Sequence, residues 1–293
     1  MKAGTSWLHE YLRMRIDVAV PHATKETFFF DRYFETKKAS WYFQHFRSTD
    51  WTKIKRTIEV APTYFAHPAV PSRVATLLGQ IQIVVTLRDP ADRAFSLFQH
   101  MKRYGLTKTR SFRDCVAAHP EMVETSKYFE SIQRWTRLFG PEKVTTLFME
   151  DLASDPRTFC NACCDGLSIS RPNGSIALPE KTNVAVTPRH FQIARFGRIS
   201  GDLLRSCHLH NIIQVAKQAG MKRMFFGNPQ QQRRRISCVD RAWFVRQIEH
   251  DLRALERLVN RDLNHWLKPK SQPVGATSVT EVMAAANCAT SDS

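Results

Sequence analysis

Residues 81–90 read Ile81-Gln82-Ile83-Val84-Val85-Thr86-Leu87-Arg88-Asp89-Pro90 and form the clearest structural signal in the chain. The first seven are an almost continuous apolar, β-branched run, which is typical of a strand buried in a parallel sheet. Residues 91–104 continue as an amphipathic helix. This order of strand, turn and helix predicts an α/β fold, in which ligands collect at the carboxyl ends of the strands. Arg88 and Ser96 therefore belong to the end of the sheet where a nucleotide would bind.

Further secondary structure is predicted on both sides of this unit. The segments predicted to be β-structure are 18–31, 56–62 and 143–149. The segments predicted to be helical, besides one that begins near Thr5, are 70–78, 111–118, 123–139, 189–196, 202–219 and 239–259. We therefore expect one domain over residues 1–267, with a central parallel sheet flanked by helices. Residues 268–293 are rich in Pro, Ser, Thr and Ala, which predicts a disordered tail.

The chain is strongly basic, with 43 Lys and Arg against 27 Asp and Glu and a formal net charge of +16. Such a charge attracts polyanions, anionic membrane surfaces or phosphorylated small molecules, and it does not choose among them. No apolar run approaches the ~18 residues of a membrane-spanning helix, and the first twenty residues lack a signal-peptide pattern. We expect a cytoplasmic chain without a membrane segment.

The seven cysteines are odd in number and irregularly spaced, which favours reduced thiols over a disulfide framework. Cys160, Cys163 and Cys164 look like half of a zinc site, but no second Cys or His pair follows at a suitable spacing. Buried structural thiols are the favoured interpretation, and no metal is expected.

The chain begins with a second informative stretch, Met1-Lys2-Ala3-Gly4-Thr5-Ser6, which leads directly into an apolar helical pattern. A glycine turn that opens a helix presents free backbone N–H groups and can bind an anion. The lysine precedes the glycine, so this is not a Walker A loop. Taken alone, the stretch is more often an ordinary capped helix than an anion site.

Three segments, in their order along the chain, resemble the carbohydrate sulfotransferases of the heparan-sulfate type and their bacterial relatives. They are Lys2-Ala3-Gly4-Thr5-Ser6, Lys25-Glu26-Thr27-Phe28-Phe29-Phe30-Asp31 and Leu87-Arg88-Asp89-Pro90-Ala91-Asp92-Arg93-Ala94-Phe95-Ser96. Weaker similarity continues at 59–65, 148–156 and 261–267. The likeness spans roughly residues 1 to 267 and implies a sulfotransferase fold related to P-loop nucleotide-binding proteins.

The resemblance implies transfer of a sulfuryl group from 3′-phosphoadenosine 5′-phosphosulfate (PAPS) to a hydroxyl or amine of a carbohydrate-like acceptor, without a metal. In this family the glycine loop holds the 5′-phosphosulfate, while an arginine and a serine hold the 3′-phosphate. The matching donor-binding residues are Lys2, Gly4, Thr5, Ser6, Arg88 and Ser96. The glutamate that matches the usual general base is Glu26.

The chemistry of these side chains fits the implied roles. Negative charge develops on the departing nucleotide oxygen, and Lys2 would stabilise it electrostatically. Glu26 can take the acceptor's proton, provided that Lys25 does not simply pair with it. Arg88 offers a planar fork that matches phosphate oxygens, and Ser96 adds one donor.

Each of these residues also has a purely structural interpretation. Arg88 could be a surface arginine beside a capped turn, and Ser96 a small residue that faces another element. Lys25 and Glu26 could form a solvated charge pair.

Two departures from the family pattern shape the expectations. Members normally carry an apolar strand immediately before the glycine loop, whereas only Met1 precedes Lys2 here, so the first strand is expected to be missing. Either a start placed too far downstream or a truncated protein would explain this. A missing upstream segment could also carry a membrane anchor. Val60 also stands where several relatives have lysine.

The truncation leaves open an alternative function, a non-catalytic protein that binds a nucleotide or an anionic polysaccharide. A kinase is disfavoured because the Walker A lysine is absent. No nucleic-acid partner is expected, because the basic residues are scattered apart from 233–235.

Overall fold

The computed structural model describes residues 3–46, 50–172, 179 and 235–268. The helices of this part are α1 Thr5–Arg13, α2 Ala39–Phe43, α3 Val70–Leu78, α4 Pro90–Arg103, α5 Phe112–Ala118, α6 Glu121–Glu124, α7 Tyr128–Phe139, α8 Met149–Ser154, α9 Pro156–Gly166, α10 Cys238–Arg246, α11 Glu249–Val259 and α12 Asn264–Leu267. The strands are β1 Val18–Ala19, β2 Arg56–Thr57, β3 Ile83–Leu87 and β4 Val144–Phe148. Lys2, the helices expected at 189–196 and 202–219, and the tail from 269 onward lie outside the described residues.

The strands pair in parallel, as the sequence predicts, and the chain has an α/β fold. β3 lies beside β4 in a register that joins Ile83 to Val144 and Leu87 to Phe148. β1 and β2 form a second parallel pair. Parallel strands need a crossover connection, and the helices α4 to α7 supply it between β3 and β4.

The segment after β3 follows the prediction closely. Leu87 is buried as the last strand residue, and α4 begins at Pro90, where a missing N–H costs nothing. Asp89 caps this helix because its Oδ1 accepts from the backbone N–H of Asp92 at 3.1 Å. The side chain of Asp89 is itself paired with Arg241 of α10, and both side chains are 2% exposed.

The prediction of β-structure over 18–31 is wrong beyond its first residues. Only Val18–Ala19 forms a strand, and a π-helical turn occupies Phe29–Tyr33. Phe28, which precedes this turn, has a left-handed backbone with φ 57°. Phe29 and Phe30 are 2% and 1% exposed within a cluster of aromatic rings. The aromatic run has high strand propensity, but burying both neighbouring rings requires a turn, since successive side chains of a strand point to opposite faces.

Other boundaries also differ from the prediction. The strand expected at 56–62 extends only over Arg56–Thr57. The helix expected at 123–139 is two helices, α6 and α7, with the buried Ser126 between them. The run 239–259 is likewise divided between α10 and α11, and Ile248 lies at the break with 1% exposure. Ile248 packs in the same core cluster as Leu252 and Leu255 of α11.

The C-terminal helices pack into the same core as β3 and α4. Trp266 is completely buried and contacts the ring of Phe148 at the end of β4. Arg261 donates to both carboxylate oxygens of Asp151 at 2.6 Å each, and the indole Nε1 of Trp266 donates to Glu150 Oε1 at 2.8 Å. Two segments that carry the weaker family similarity, 148–156 and 261–267, therefore meet in space.

Cys160, Cys163 and Cys164 are fully buried on α9, which confirms the interpretation of structural thiols. Burial raises the pKa of Cys160 to about 11 and that of Cys163 to about 12, so both stay protonated at neutral pH. Within the described ranges, no group of three His, Cys, Asp or Glu side chains could hold a metal ion. No helix of that same part is long and apolar enough to cross a membrane.

Candidate functional site

The glycine loop lies at the carboxyl end of β3. Gly4 adopts a left-handed backbone with φ 71° and serves as the N-cap of α1. The hydroxyl of Thr86, near the end of β3, donates to the carbonyl oxygen of Ala3 at 2.9 Å. The loop predicted to hold the donor and the turn that carries Arg88 are therefore at the same end of the strand, as the parallel fold predicts.

The first turn of α1 suits an anion. Its N-cap is a glycine, which offers no side chain to cap the amides, and no acidic residue occupies the turn. The uncapped N–H groups and the helix dipole favour negative charge at this position. Thr5 and Ser6 add hydroxyl groups, and both side chains are partly buried. This arrangement fits the 5′-phosphosulfate end of the implied donor.

Lys25 joins the glycine loop to the predicted base. Its Nζ donates to Thr5 Oγ1 at 3.3 Å and forms an ion pair with Glu26 Oε1 at 2.8 Å. Lys25 and Glu26 are only 21% and 15% exposed, so the pair is sheltered rather than solvated. Glu26 Oε2 is buried and has no hydrogen-bond partner in the described part of the chain. Lys25 therefore does pair with Glu26, the interaction that the sequence analysis set against its role as a base, but the pairing occupies only Oε1.

Arg88 follows the last residue of β3, and Ser96 lies in the second turn of α4. Both residues are partly buried. The phenol of Tyr128, at the start of α7, donates to the carbonyl oxygen of Arg88 at 2.9 Å. Burial raises the pKa of Tyr128 to about 12, so this phenol remains a donor. Ser96 takes no part in the contacts that join Thr5, Lys25 and Glu26.

Glu59, which the sequence analysis does not nominate, binds Thr27, the residue after Glu26. Its Oε1 accepts from the backbone N–H of Thr27 at 2.6 Å and from the phenol of Tyr64 at 3.2 Å. Burial, reinforced by the charge of Glu26, raises the pKa of Glu59 to about 7, although hydrogen bonds from Thr27 and Tyr64 oppose the shift. The sequence signal was a carboxylate between two apolar residues, Ile58 and Val60.

A family model described as "Sulfotransferase domain" matches residues 1–186. "Bifunctional heparan sulfate N-deacetylase/N-sulfotransferase 1" of Xenopus tropicalis is 27% identical over 172 residues, which cover 53% of this chain and 20% of that protein. "Bifunctional heparan sulfate N-deacetylase/N-sulfotransferase 2" of Bos taurus is 32% identical over 172 residues, with the same shares of both chains. The matched region is therefore about a fifth of the length of these relatives.

A crystal structure of a sulfotransferase from Alicyclobacillus acidocaldarius has the same fold. It aligns with a TM-score of 0.60 at 21% sequence identity and covers 90% of this chain and 94% of that one. The parallel strands, the glycine loop at their carboxyl end and the family match over more than half of the residues lead to one assignment. The chain belongs to the sulfotransferase domain family.

Proposed function

We propose that this protein transfers a sulfuryl group from PAPS to a hydroxyl or amine of a carbohydrate-like acceptor. The observation that carries the proposal is Glu26 Oε2, a buried carboxylate oxygen without a partner among the described residues, on a side chain that Lys25 links to Thr5 in the first turn of α1. The family assignment supports the reaction class, and the two relatives named above are N-sulfotransferases for heparan sulfate.

The donor would lie across the carboxyl end of β3. Gly4, Thr5 and Ser6 present amides and hydroxyls to the 5′-phosphosulfate, and Lys2 is assigned to the same group. Arg88 and Ser96 are assigned to the 3′-phosphate, since a guanidinium binds phosphate oxygens in pairs. The net charge of +16 favours association with a donor and an acceptor that are both anionic.

In the transfer step, the acceptor oxygen or nitrogen forms a bond to sulfur while the bond between sulfur and the bridging phosphate oxygen breaks. Glu26 Oε2 takes the acceptor's proton, and 3′-phosphoadenosine 5′-phosphate (PAP) leaves with the electron pair. Lys2 stabilises the charge on the leaving oxygen. Lys25 holds the other carboxylate oxygen of Glu26 and keeps the base beside Thr5.

The decisive experiment measures PAP binding by calorimetry and transfer from sulfur-labelled PAPS to a panel of glycans with free amines or hydroxyls. We expect the wild-type chain to do both. Glu26→Gln should keep its PAP affinity and lose about 10²–10⁴-fold in kcat, the usual contribution of a general base. Glu124→Gln is the matched control, because Glu124 is exposed and pairs only with Lys127 among the described ion pairs.

The possible outcomes separate the competing functions. A chain that binds PAP but never transfers label would be the nucleotide-binding alternative. A chain that does not bind PAP would contradict the proposal altogether. If Glu26→Gln turned over like the Glu124→Gln control, the sulfotransferase would stand and another group would be the base.

A further inference from the structure

A polar cluster of three side chains supports the segment that carries Glu26. Glu59 Oε1 and Oε2 accept from the phenol of Tyr64 at 3.2 and 3.3 Å, and Oε1 also accepts from the Thr27 N–H at 2.6 Å. The phenol oxygen of Tyr64 lies 3.1 Å from Thr27 Oγ1 and accepts from the Phe30 N–H at 3.4 Å. Thr27 and Tyr64 are 3% and 9% exposed, so these bonds are shielded from water.

The backbone next to Glu26 needs such support. Phe28 has φ 57°, a left-handed conformation that a bulky residue adopts only when its surroundings impose it. The bonds to Thr27 and Phe30 hold the chain on both sides of this residue. On the other side of Glu26, the hydroxyl of Thr24 donates to the Glu26 carbonyl oxygen at 2.9 Å. Both flanks of the proposed base are therefore fixed by side-chain hydrogen bonds.

We propose that Glu59 is a positioning residue for sulfuryl transfer, which fixes the backbone at Thr27 and thereby orients the free oxygen of Glu26. This inference rests on the proposed function of Glu26. Both carboxylate oxygens of Glu59 accept hydrogen bonds from Tyr64 or Thr27, so Glu59 is not assigned a contact with substrate. A shift of the base by about 1 Å can cost on the order of 10²-fold in rate, so a residue that prevents this shift has a measurable effect.

The electrostatics of the cluster give the role a pH signature. In the described part of the chain, three ionisable side chains interact with Glu59: Glu26, Tyr64 and Tyr42. Glu26 is itself paired with Lys25. The pKa of Glu59 is raised to about 7, mainly because the carboxylate is buried. Above that pH the ionised carboxylate is a strong acceptor for the Thr27 N–H, and below it the protonated group is a weaker one. The hold on Thr27 should therefore weaken as the pH falls through about 7.

The test compares Glu59→Ala and Glu59→Gln with the exposed control pair Glu124→Ala and Glu124→Gln. The amide side chain of Gln keeps an acceptor for the Thr27 N–H, whereas Ala leaves this N–H unpaired. We expect Glu59→Ala to lose about tenfold or more in kcat, within the effect of misplacing a catalytic group, with PAP affinity within about twofold of wild type. Glu59→Gln should stay within about threefold of wild type in kcat at pH 8, since an uncharged acceptor is only moderately weaker.

Two further readouts distinguish positioning from general damage to the structure. Hydrogen exchange of the backbone amides at 25–31 should speed up in Glu59→Ala and stay slow in Glu59→Gln. In the wild type, protonation of Glu59 should lower kcat as the pH falls through about 7. This decrease should be absent in Glu59→Gln, because Gln does not titrate. If Glu59→Ala does not fold, the Gln variant still tests the inference through its pH profile and its exchange.

Several results would overturn the inference. These are an unchanged kcat in Glu59→Ala, a loss of PAP affinity as large as the loss of kcat, or equal losses of kcat in the Ala and Gln variants. Unchanged exchange at 25–31 in Glu59→Ala would also contradict it. The exchange measurement does not depend on activity. It can therefore show that Glu59 does not support residues 25–31 even if the proposed function fails because the wild-type chain neither binds PAP nor transfers a sulfuryl group.

Discussion

At the scale of single residues, two glycines share a positive φ that favours glycine and differ in their surroundings. Gly4 has φ 71° and Gly79 has φ 67°, positive values that a residue with a side chain adopts at a cost of about 1–3 kcal/mol. A β-carbon built on Gly4 would lie 2.2 Å from Sδ and 2.6 Å from Cε of Met149. A β-carbon on Gly79 would meet nothing within 4 Å. The loop at Gly4 is therefore packed against the end of β4, whereas the turn at Gly79 is open.

We predict that Gly79→Ala loses about 1–3 kcal/mol of stability, the cost of an alanine at a positive φ that favours glycine. Gly4→Ala should lose more, because its β-carbon would also overlap Met149. Urea unfolding measures both losses. Only Gly4→Ala should also weaken PAP binding, by about tenfold, or 1.4 kcal/mol, because the loop and Met149 must separate and move the first-turn amides of α1. Calorimetry with PAP measures the difference. Equal PAP affinity in the two variants would show that the packing of Gly4 does not position the donor site.

The residues of the proposed site differ in how readily they can be predicted from the sequence. Gly4, Glu26 and Arg88 stand in short motifs whose chemistry can be read locally, so they could be nominated from the sequence. Glu59 could not, because its partner Thr27 is 32 residues away and only the folded chain brings them together. The sequence shows that Lys25 could pair with Glu26, because the two residues are adjacent. Which carboxylate oxygen the pairing occupies depends on side-chain geometry, which the sequence does not reveal.

At the scale of secondary-structure elements, the unit from β3 to α4 was predictable because its signals are local. A buried β-branched strand, a capping aspartate and a proline at the first helical position all act within a few residues. The turn Phe29–Tyr33 was not predictable in the same way, since burial of its rings against distant residues overrides strand propensity. The same holds for the partner of Asp89, which comes from α10. Arg241 donates to Asp89 and Asp92 and to the carbonyl oxygen of Trp266.

We predict that Arg241→Met destabilises the protein by about 3–5 kcal/mol, because the buried Asp89 carboxylate loses the guanidinium that pairs with it. Adding Asp89→Asn to Arg241→Met should recover part of this loss, since the amide can still cap α4. Urea unfolding of the single and double variants measures the coupling. Arg253→Met is the control, because Arg253 pairs with Glu249 at an exposed position and should change stability by less than about 1 kcal/mol. Additive effects of the two substitutions would contradict a coupled pair.

At the scale of the whole molecule, the core around β3 is completed by residues far beyond the family match at 1–186. The apolar side chains of the C-terminal helices that are completely buried there are Phe244, Leu252, Leu255, Leu263 and Trp266. The helical spacing of 239–259 predicts an amphipathic helix, but it does not reveal which surface the helix covers. That surface is set by the positions of β3, α4 and α7, which precede this helical run in the chain by about a hundred residues or more. The disordered tail expected over 268–293 stays a prediction.

We predict that a chain ending at residue 186 loses cooperative folding, whereas a chain ending at residue 268 keeps it. Each large apolar side chain contributes about 1.5–3 kcal/mol when buried, so losing five of them removes an amount comparable to the 5–15 kcal/mol that stabilises a typical domain. The shorter chain also lacks Arg241, the partner of Asp89, and Arg261, the partner of Asp151. Thermal unfolding followed by near-ultraviolet circular dichroism should show one sharp transition for the longer chain and none for the shorter one. A shorter chain that unfolds cooperatively and binds PAP would show instead that the C-terminal helices are an addition to a core that is complete without them.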